Sequence, residues 1–336
     1  MEKEKLKKRK SSTIPKSKLL PDEKKELRRL QKLETQFKTT EDILKQKGSY
    51  EIYPIITTKS NEERVTIPII LASDWHIDEV VEKNSVLGKN EFNIDIAKKR
   101  IDNFFANIVK LINHHQSHYD INEIVFSFLG DGIGGWIHDE LSQTNSMTPD
   151  RGIYMLKTFI LSGLKYLHDN LNVDKIYVVM VAGNHTRSTK KIQHSNFNEV
   201  NKEYFAYLEL RDICKSLNLN KLDFIISEAP ICVVKLLGYN LGFTHGYQFR
   251  YQGGIGGIFP PLLRWYYKIA KVLNVDKFFL GHWHQFVSIK EVTINASLKG
   301  YDSYALSNGF AYEDPSQTLV LLDSKYGFCL NQQIFV

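Results

Sequence analysis

Five short apolar runs in this chain each end on residues able to do chemistry. Residues 66–73 (TIPIILAS) lead into Asp74-Trp75-His76, and residues 123–129 (EIVFSFL) lead into Gly130-Asp131. Residues 175–182 (KIYVVMVA) precede Gly183-Asn184-His185, residues 240–244 (NLGFT) precede His245-Gly246, and residues 277–280 (KFFL) precede Gly281-His282-Trp283-His284. Runs of about four to eight β-branched and aromatic residues read as buried strands. In layered α/β folds, ligands collect beyond the carboxyl ends of such strands. The pattern therefore predicts one site assembled from distant segments.

The residues at those strand ends are rich in nitrogen and oxygen and contain no sulfur. Imidazole mixed with carboxylate suits first-row ions, whereas magnesium or calcium would favour oxygen alone. Asp74, His76, Asp131, Asn184, His245, His282 and His284 are too many for one ion with an open position, but they suit two ions sharing a carboxylate. Asp131, alone after its strand, is the natural bridge. If the segment is extended, Asp74 and His76 point the same way and can reach one ion. The same step separates His282 from His284, although a tight turn there would send them to different ions. With a hydroxide added, two divalent ions and two aspartates leave the centre near about +1, suited to a phosphate oxygen. Phosphoester hydrolysis is the chemistry these groups fit.

In the same order, the blocks Asp74-Trp75-His76, Gly130-Asp131, Gly183-Asn184-His185, His245 and Gly281-His282-Trp283-His284 resemble the calcineurin-like metallophosphoesterases, over about residues 64–336. The resemblance implies a four-layer αββα sandwich of two mixed sheets flanked by helices. It implies a first divalent ion held by Asp74, His76, Asp131 and His284, and a second held by Asp131, Asn184, His245 and His282. Manganese leads as the identity of the ions, with iron, zinc or nickel as alternatives. It also implies that a metal-bound hydroxide attacks phosphorus while His185 acts as the acid beside the leaving oxygen. Phage-encoded members share the stretch around Thr244-His245-Gly246 and the glycines at 253–257, and some are described as DNA-repair exonucleases or polymerase-associated subunits. The leading expectation is therefore a nuclease-like phosphodiesterase. The alternatives are a phosphodiesterase or phosphatase acting on a small nucleotide, and a non-catalytic subunit of a replication or repair complex. Two positions depart from the family pattern. Thr186 stands where an acidic residue usually orients the histidine, with Asp78, Asp139 and Glu140 as possible substitutes, and glycines 132, 134 and 135 follow the second block.

Other residues invite blander readings. His114, His115, His118, His168 and His194 are expected in structural or surface roles, and His138 as a weaker candidate for substrate contact. Arg187 and Arg250 are expected on the surface, with phosphate pairing the alternative. The glycine-rich stretch 252–257 lacks the Gly-Lys-Ser/Thr ending of a phosphate-binding loop and is expected as a tight loop beside His245.

Charge divides the chain unevenly. Residues 1–48 hold 16 Lys/Arg and 8 Asp/Glu, a net +8, whereas the remainder holds 28 and 30, a net −2. A basic extension over residues 1–48, polar to about residue 18 and then helical, is expected ahead of a catalytic domain at 62–336. Leu27, Leu30, Phe37 and Leu44 give its helix a broken heptad seam, and its basic charge suits contact with nucleic acid or a protein partner. No uncharged apolar stretch reaches about 18 residues, so no membrane contact is expected. The charged start, with no apolar signal core behind it, and three scattered cysteines lead to a cytoplasmic expectation. Amphipathic helices are expected near 94–113, 148–170, 198–217 and 258–274, with strands dominating from about 286 onward.

Overall fold

The computed structural model describes residues 52–55, 64–249 and 257–336. The expected amino-terminal helix, Arg250 and most of the glycine-rich stretch lie outside them. Two six-stranded mixed sheets form the body. In the first, β2 (Thr66–Ala72), β3 (Glu123–Phe128), β4 (Lys175–Met180) and β5 (Leu222–Ile226) run parallel. The antiparallel strands β11 (Ser316–Asp323) and β12 (Gly327–Phe335) extend it past β2. The second sheet has the order β1 (Ile52–Pro54), β6 (Ile231–Leu236), β7 (Tyr239–Thr244), β8 (Lys277–Leu280), β10 (Val292–Ile294), β9 (Val287–Ser288).

Period-two alternation sorts the strand residues into layers. Ile67, Ile69 and Leu71 of β2, Val125 of β3 and Val179 of β4 meet Val234, Leu241, Phe243 and Phe279 of the second sheet. The alternate residues Ile70, Phe126, Phe128 and Val178 face the other way, into a core shared with three helices. These are α1 (Ile94–Gln116), α3 (Pro149–Asn170) and α4 (Lys202–Ser216). The outer face of the second sheet, with Val233, Phe278, Val292 and Ile294, packs on Leu262 and Tyr266 of α5 (Phe259–Leu273). Helix, sheet, sheet and helix thus stack as four layers. Because β2 to β4 are buried on both faces, they read in sequence as unbroken apolar runs.

The helices follow local signals. Asn93 caps α1 by accepting from the amides of Asp95 and Ile96, and Ile101, Phe104, Phe105, Ile108 and Ile112 form its buried stripe. Thr148 caps α3 ahead of Pro149, as its sequence predicts. Two elements, α2 (Leu141–Thr144) and α6 (Ser303–Ser307), are single turns. The strand that opens the region from 286 onward is only two residues long. Ile289 donates to the carbonyl of Val292, turning the chain so that β9 pairs back on β10. No described helix is long and apolar enough to cross a membrane.

Candidate metal centre

The five sequence blocks emerge from the carboxyl ends of β2, β3, β4, β7 and β8, and hydrogen bonds beyond the strands hold the first two in step. The amides of Asp74, His76 and Ile77 donate to the carbonyls of Gly130, Asp131 and Gly132 at 3.0, 3.2 and 3.0 Å. Glycine precedes Asp131 and Asn184 because the two loops touch backbone to backbone: a Cβ on Gly130 would lie 2.2 Å from the Gly183 nitrogen. The buried Glu203 on α4 ties both loops together, accepting from the amides of Asp131, Gly132 and Gly183 at 3.3, 2.6 and 2.8 Å. Gln317 of β11 does the same for the first block, accepting from the Ser73 amide at 2.9 Å and from Trp75 Nε1 at 3.1 Å. Trp75 is fully buried, edge-on to Phe104, Phe105 and Phe128. It anchors in the core the block whose two neighbouring side chains face the site.

Asp74 and His76 converge, but not through an extended backbone. Their φ values are +54° and +45°, and Asp131, His282 and His284 sit at +54°, +73° and +54°. Left-handed backbone at non-glycine residues costs about 1–3 kcal/mol each and persists where the surroundings enforce it, commonly at functional sites. Consecutive turns explain why His282 and His284 diverge, as the tight-turn alternative anticipates.

The side chains gather into two neighbouring groups. Asp74, His76 and His284 form one, and Asp131, His245 and His282 the other; within each, the donor atoms lie within 4.8 Å of one another. His284 Nε2 is 3.1 Å from His76 Nε2 and 3.4 Å from Asp74 Oδ1. His245 Nε2 is 2.8 Å from Asp131 Oδ2 and 3.2 Å from His282 Nδ1. Ring nitrogens turned on a common point need a proton or a cation between them. Asn184, also buried, has its Oδ1 without a hydrogen-bond partner, as suits an oxygen donor reserved for an ion. The donor set and this orphaned oxygen fit divalent cations.

The far sides of the rings are also held. His245 Nδ1 donates to the Leu129 carbonyl at 2.7 Å, leaving Nε2 to face the site. His76 Nδ1 lies 2.8 Å from Glu79 Oε1. Glu79 is in turn paired with buried Lys299 at 2.5 Å, and Lys299 with Asp302 at 2.6 Å. Carboxylates behind ligating histidines fix the ring and raise its basicity. Burial alone would raise the Glu79 carboxyl, but Lys299 and His76 outweigh it and hold Glu79 well below its ordinary range. Asp74 is lowered to about 2, its burial overcome by His284. Burial depresses His282 to about 3, reinforced by His245. For His245, burial acts downward but adjacent Asp131 prevails and lifts it to about 9.

His185 stands beside both groups, its ring centroid 4.9 Å from that of His76 and its Nε2 3.8 Å from Asp131 Oδ2. Its Nδ1 lies 2.7 Å from the Gly134 carbonyl oxygen, so a backbone oxygen occupies the place expected of a carboxylate. Asp139 and Glu140 are exposed on the following loop. Thr186 turns inward, donating to Asn201 Oδ1 at 2.7 Å. The His138 ring is 5.9 Å from that of His185. Arg187 is not a free surface arginine: it donates to the carbonyls of Asn184, Thr189 and Lys190. His168 contacts Asp169 and Asn220 away from the site. Sequence reading missed Glu79, Glu203, Lys299 and Gln317. Only Glu79 carried a local signal, three residues after His76 in the same block.

No protein-family model and no curated protein sequence matches the chain. Among solved structures, Vps29 of Entamoeba histolytica in complex with Zn2+ aligns over 80% of this chain and 99% of its own, at 11% identity and a TM-score of 0.32. A hypothetical protein of Pyrococcus horikoshii, PH1004, aligns over 80% and 88%, at 10% identity and a TM-score of 0.37.

Proposed function

We propose that the chain is a two-metal phosphoesterase that hydrolyses phosphodiesters, with DNA as the leading substrate. The observation that carries this reading is the paired grouping of Asp74, His76 and His284 beside Asp131, His245 and His282, on left-handed backbone at five of those six residues. The first group would hold one ion and the second group with Asn184 the other, with Asp131 shared between them. Divalent ions bound there supply Lewis acidity, which lowers the pKa of water to roughly 7 and offsets phosphate charge.

The chain's own groups do the rest. Burial of Asp74 and Asp131 keeps bulk water from competing for the carboxylates. His185 Nε2 faces the same space and is placed to give a proton to the departing oxygen as the P–O bond breaks. Such acids contribute about 10²–10⁴-fold. The net +8 of residues 1–48 favours a polyanion as substrate or neighbour. The near-neutral remainder keeps a small nucleotide as the alternative substrate.

The test is a substrate panel with Mn2+: single- and double-stranded DNA, cyclic and linear nucleotides, and an aryl phosphodiester. Cleavage of DNA, lost in Asp131→Ala and His245→Ala, is the expected result. Cleavage confined to nucleotides would move the substrate to the alternative. Protein that binds two metal equivalents yet cleaves nothing would point to a docking role in a replication or repair complex.

A further inference from the structure

Asp78 lies in the loop after the first block, and its side chain is fully buried. Its carboxylate does not touch a ring. It accepts from the amides of Gly134 and Gly135 at 2.5 and 3.0 Å and from Asn145 Nδ2 at 3.0 Å. Asn145 also donates to the Gly135 carbonyl at 2.8 Å, and the Asp78 carbonyl takes the Ser146 amide at 2.7 Å. The glycine segment so held is closed in on both sides. A Cβ on Gly134 would lie 2.5 Å from Glu79 Oε1, and one on Gly135 would lie 2.5 Å from the His185 carbonyl oxygen. The carbonyl emerging from it is that of Gly134, the partner of His185 Nδ1.

We propose that Asp78 is the positioning residue for His185, acting through the Gly134 carbonyl in place of a carboxylate on the ring itself. The carbonyl can only accept. It therefore keeps a proton on Nδ1 and aims Nε2 at the site, and His185 returns to that single tautomer each time Nε2 gives up its proton. An unheld glycine segment would leave the carbonyl free to swing and the ring free to turn. Asp78 supplies the latch with two amide bonds, and Asn145 braces it. The proposal rests on the phosphoesterase reading only for the acid role of His185; the geometry of the latch stands apart from it.

The experiment exploits leaving groups. A proton donor matters for an alkoxide leaving group and little for p-nitrophenolate, which departs as a stable anion. Asp78→Asn would keep one oxygen for one of the two backbone donors and turn an NH2, itself a donor, towards the other. Asp78→Asn is therefore expected to lower kcat on dithymidine phosphate about tenfold more than on methyl p-nitrophenyl phosphate, at unchanged metal stoichiometry. In a His185→Ala background the same change should add less than about twofold to that difference, as coupled residues require. Asn145→Ala, a milder change, should move the ratio in the same direction. Equal losses on both esters, or full additivity with His185→Ala, would overturn the proposal. If the wild type cleaves neither these esters nor any substrate of the panel above, the phosphoesterase reading fails; in either case 15N NMR of His185 decides the latch alone. A proton on Nδ1 in the wild type and mixed tautomers in Asp78→Asn support it, whereas identical spectra refute it.

Discussion

Five of the seven residues proposed to hold the ions occupy backbone that their own side chains disfavour. His284 shows this most simply, because its φ is +54° and its ring is partly exposed. Glycine and alanine in its place both remove the donor, but glycine tolerates the left-handed backbone that alanine resists by about 1–2 kcal/mol. Metal-free His284→Gly is therefore expected to be more stable than His284→Ala by about 1 kcal/mol in urea unfolding, the reverse of their usual order. Behind His76, Glu79 is tied to Lys299 and, through it, to Asp302. Glu79→Gln should weaken Mn2+ binding by about 10–100-fold, the usual cost of losing a carboxylate behind a ligating histidine; unchanged affinity by calorimetry would remove Glu79 from the site. At this scale the residues that gather in the two groups were legible, because aspartate, asparagine and histidine recurring where one apolar run after another ends mark a shared site. Their supports were not. Glu203 and Gln317 act across long sequence separations, and a lone buried acid or amide has no pattern of its own.

The elements were legible in proportion to their burial. Strands β2, β3 and β4 are apolar on both faces and stood out, as did the stripe on α1. The edge strands β1 and β5 did not, because a partly exposed strand mixes polar residues into a short run. Arg187 reads as a surface side chain, since nothing in sequence shows a loop curling around its own guanidinium. At the end of the second sheet away from the site, Lys277 opens β8 with its side chain buried, its Nζ donating to the carbonyls of Ile289 and Lys290. Burial lowers its pKa to about 8 from an ordinary 10.5. Below about 8 the folded and unfolded chains both carry the proton; between about 8 and 10.5 only the unfolded chain does, so stability rises with pH across that window. The thermal midpoint of the wild type, taken relative to Lys277→Met, should therefore climb from about pH 7 to about pH 10. A flat difference would mean that the ammonium is better solvated than its surroundings indicate.

For the whole molecule, the two sheets and their outer helices bring the ends of β2, β3, β4, β7 and β8 to one edge, and the site follows from that topology. Four layers were expected from the resemblance, and the mixed sheets have them. The proposed substrate class rests instead on charge, chiefly the net +8 of residues 1–48. The two-metal reading requires that seven side chains enclose a pair of cations. Calorimetric titration of metal-free protein with Mn2+ tests it most directly, run beside His282→Ala and His284→Ala. Two ions per chain are expected in the wild type, with each variant weakening a different one. A single equivalent in the wild type, or titrations that neither substitution alters, would contradict it.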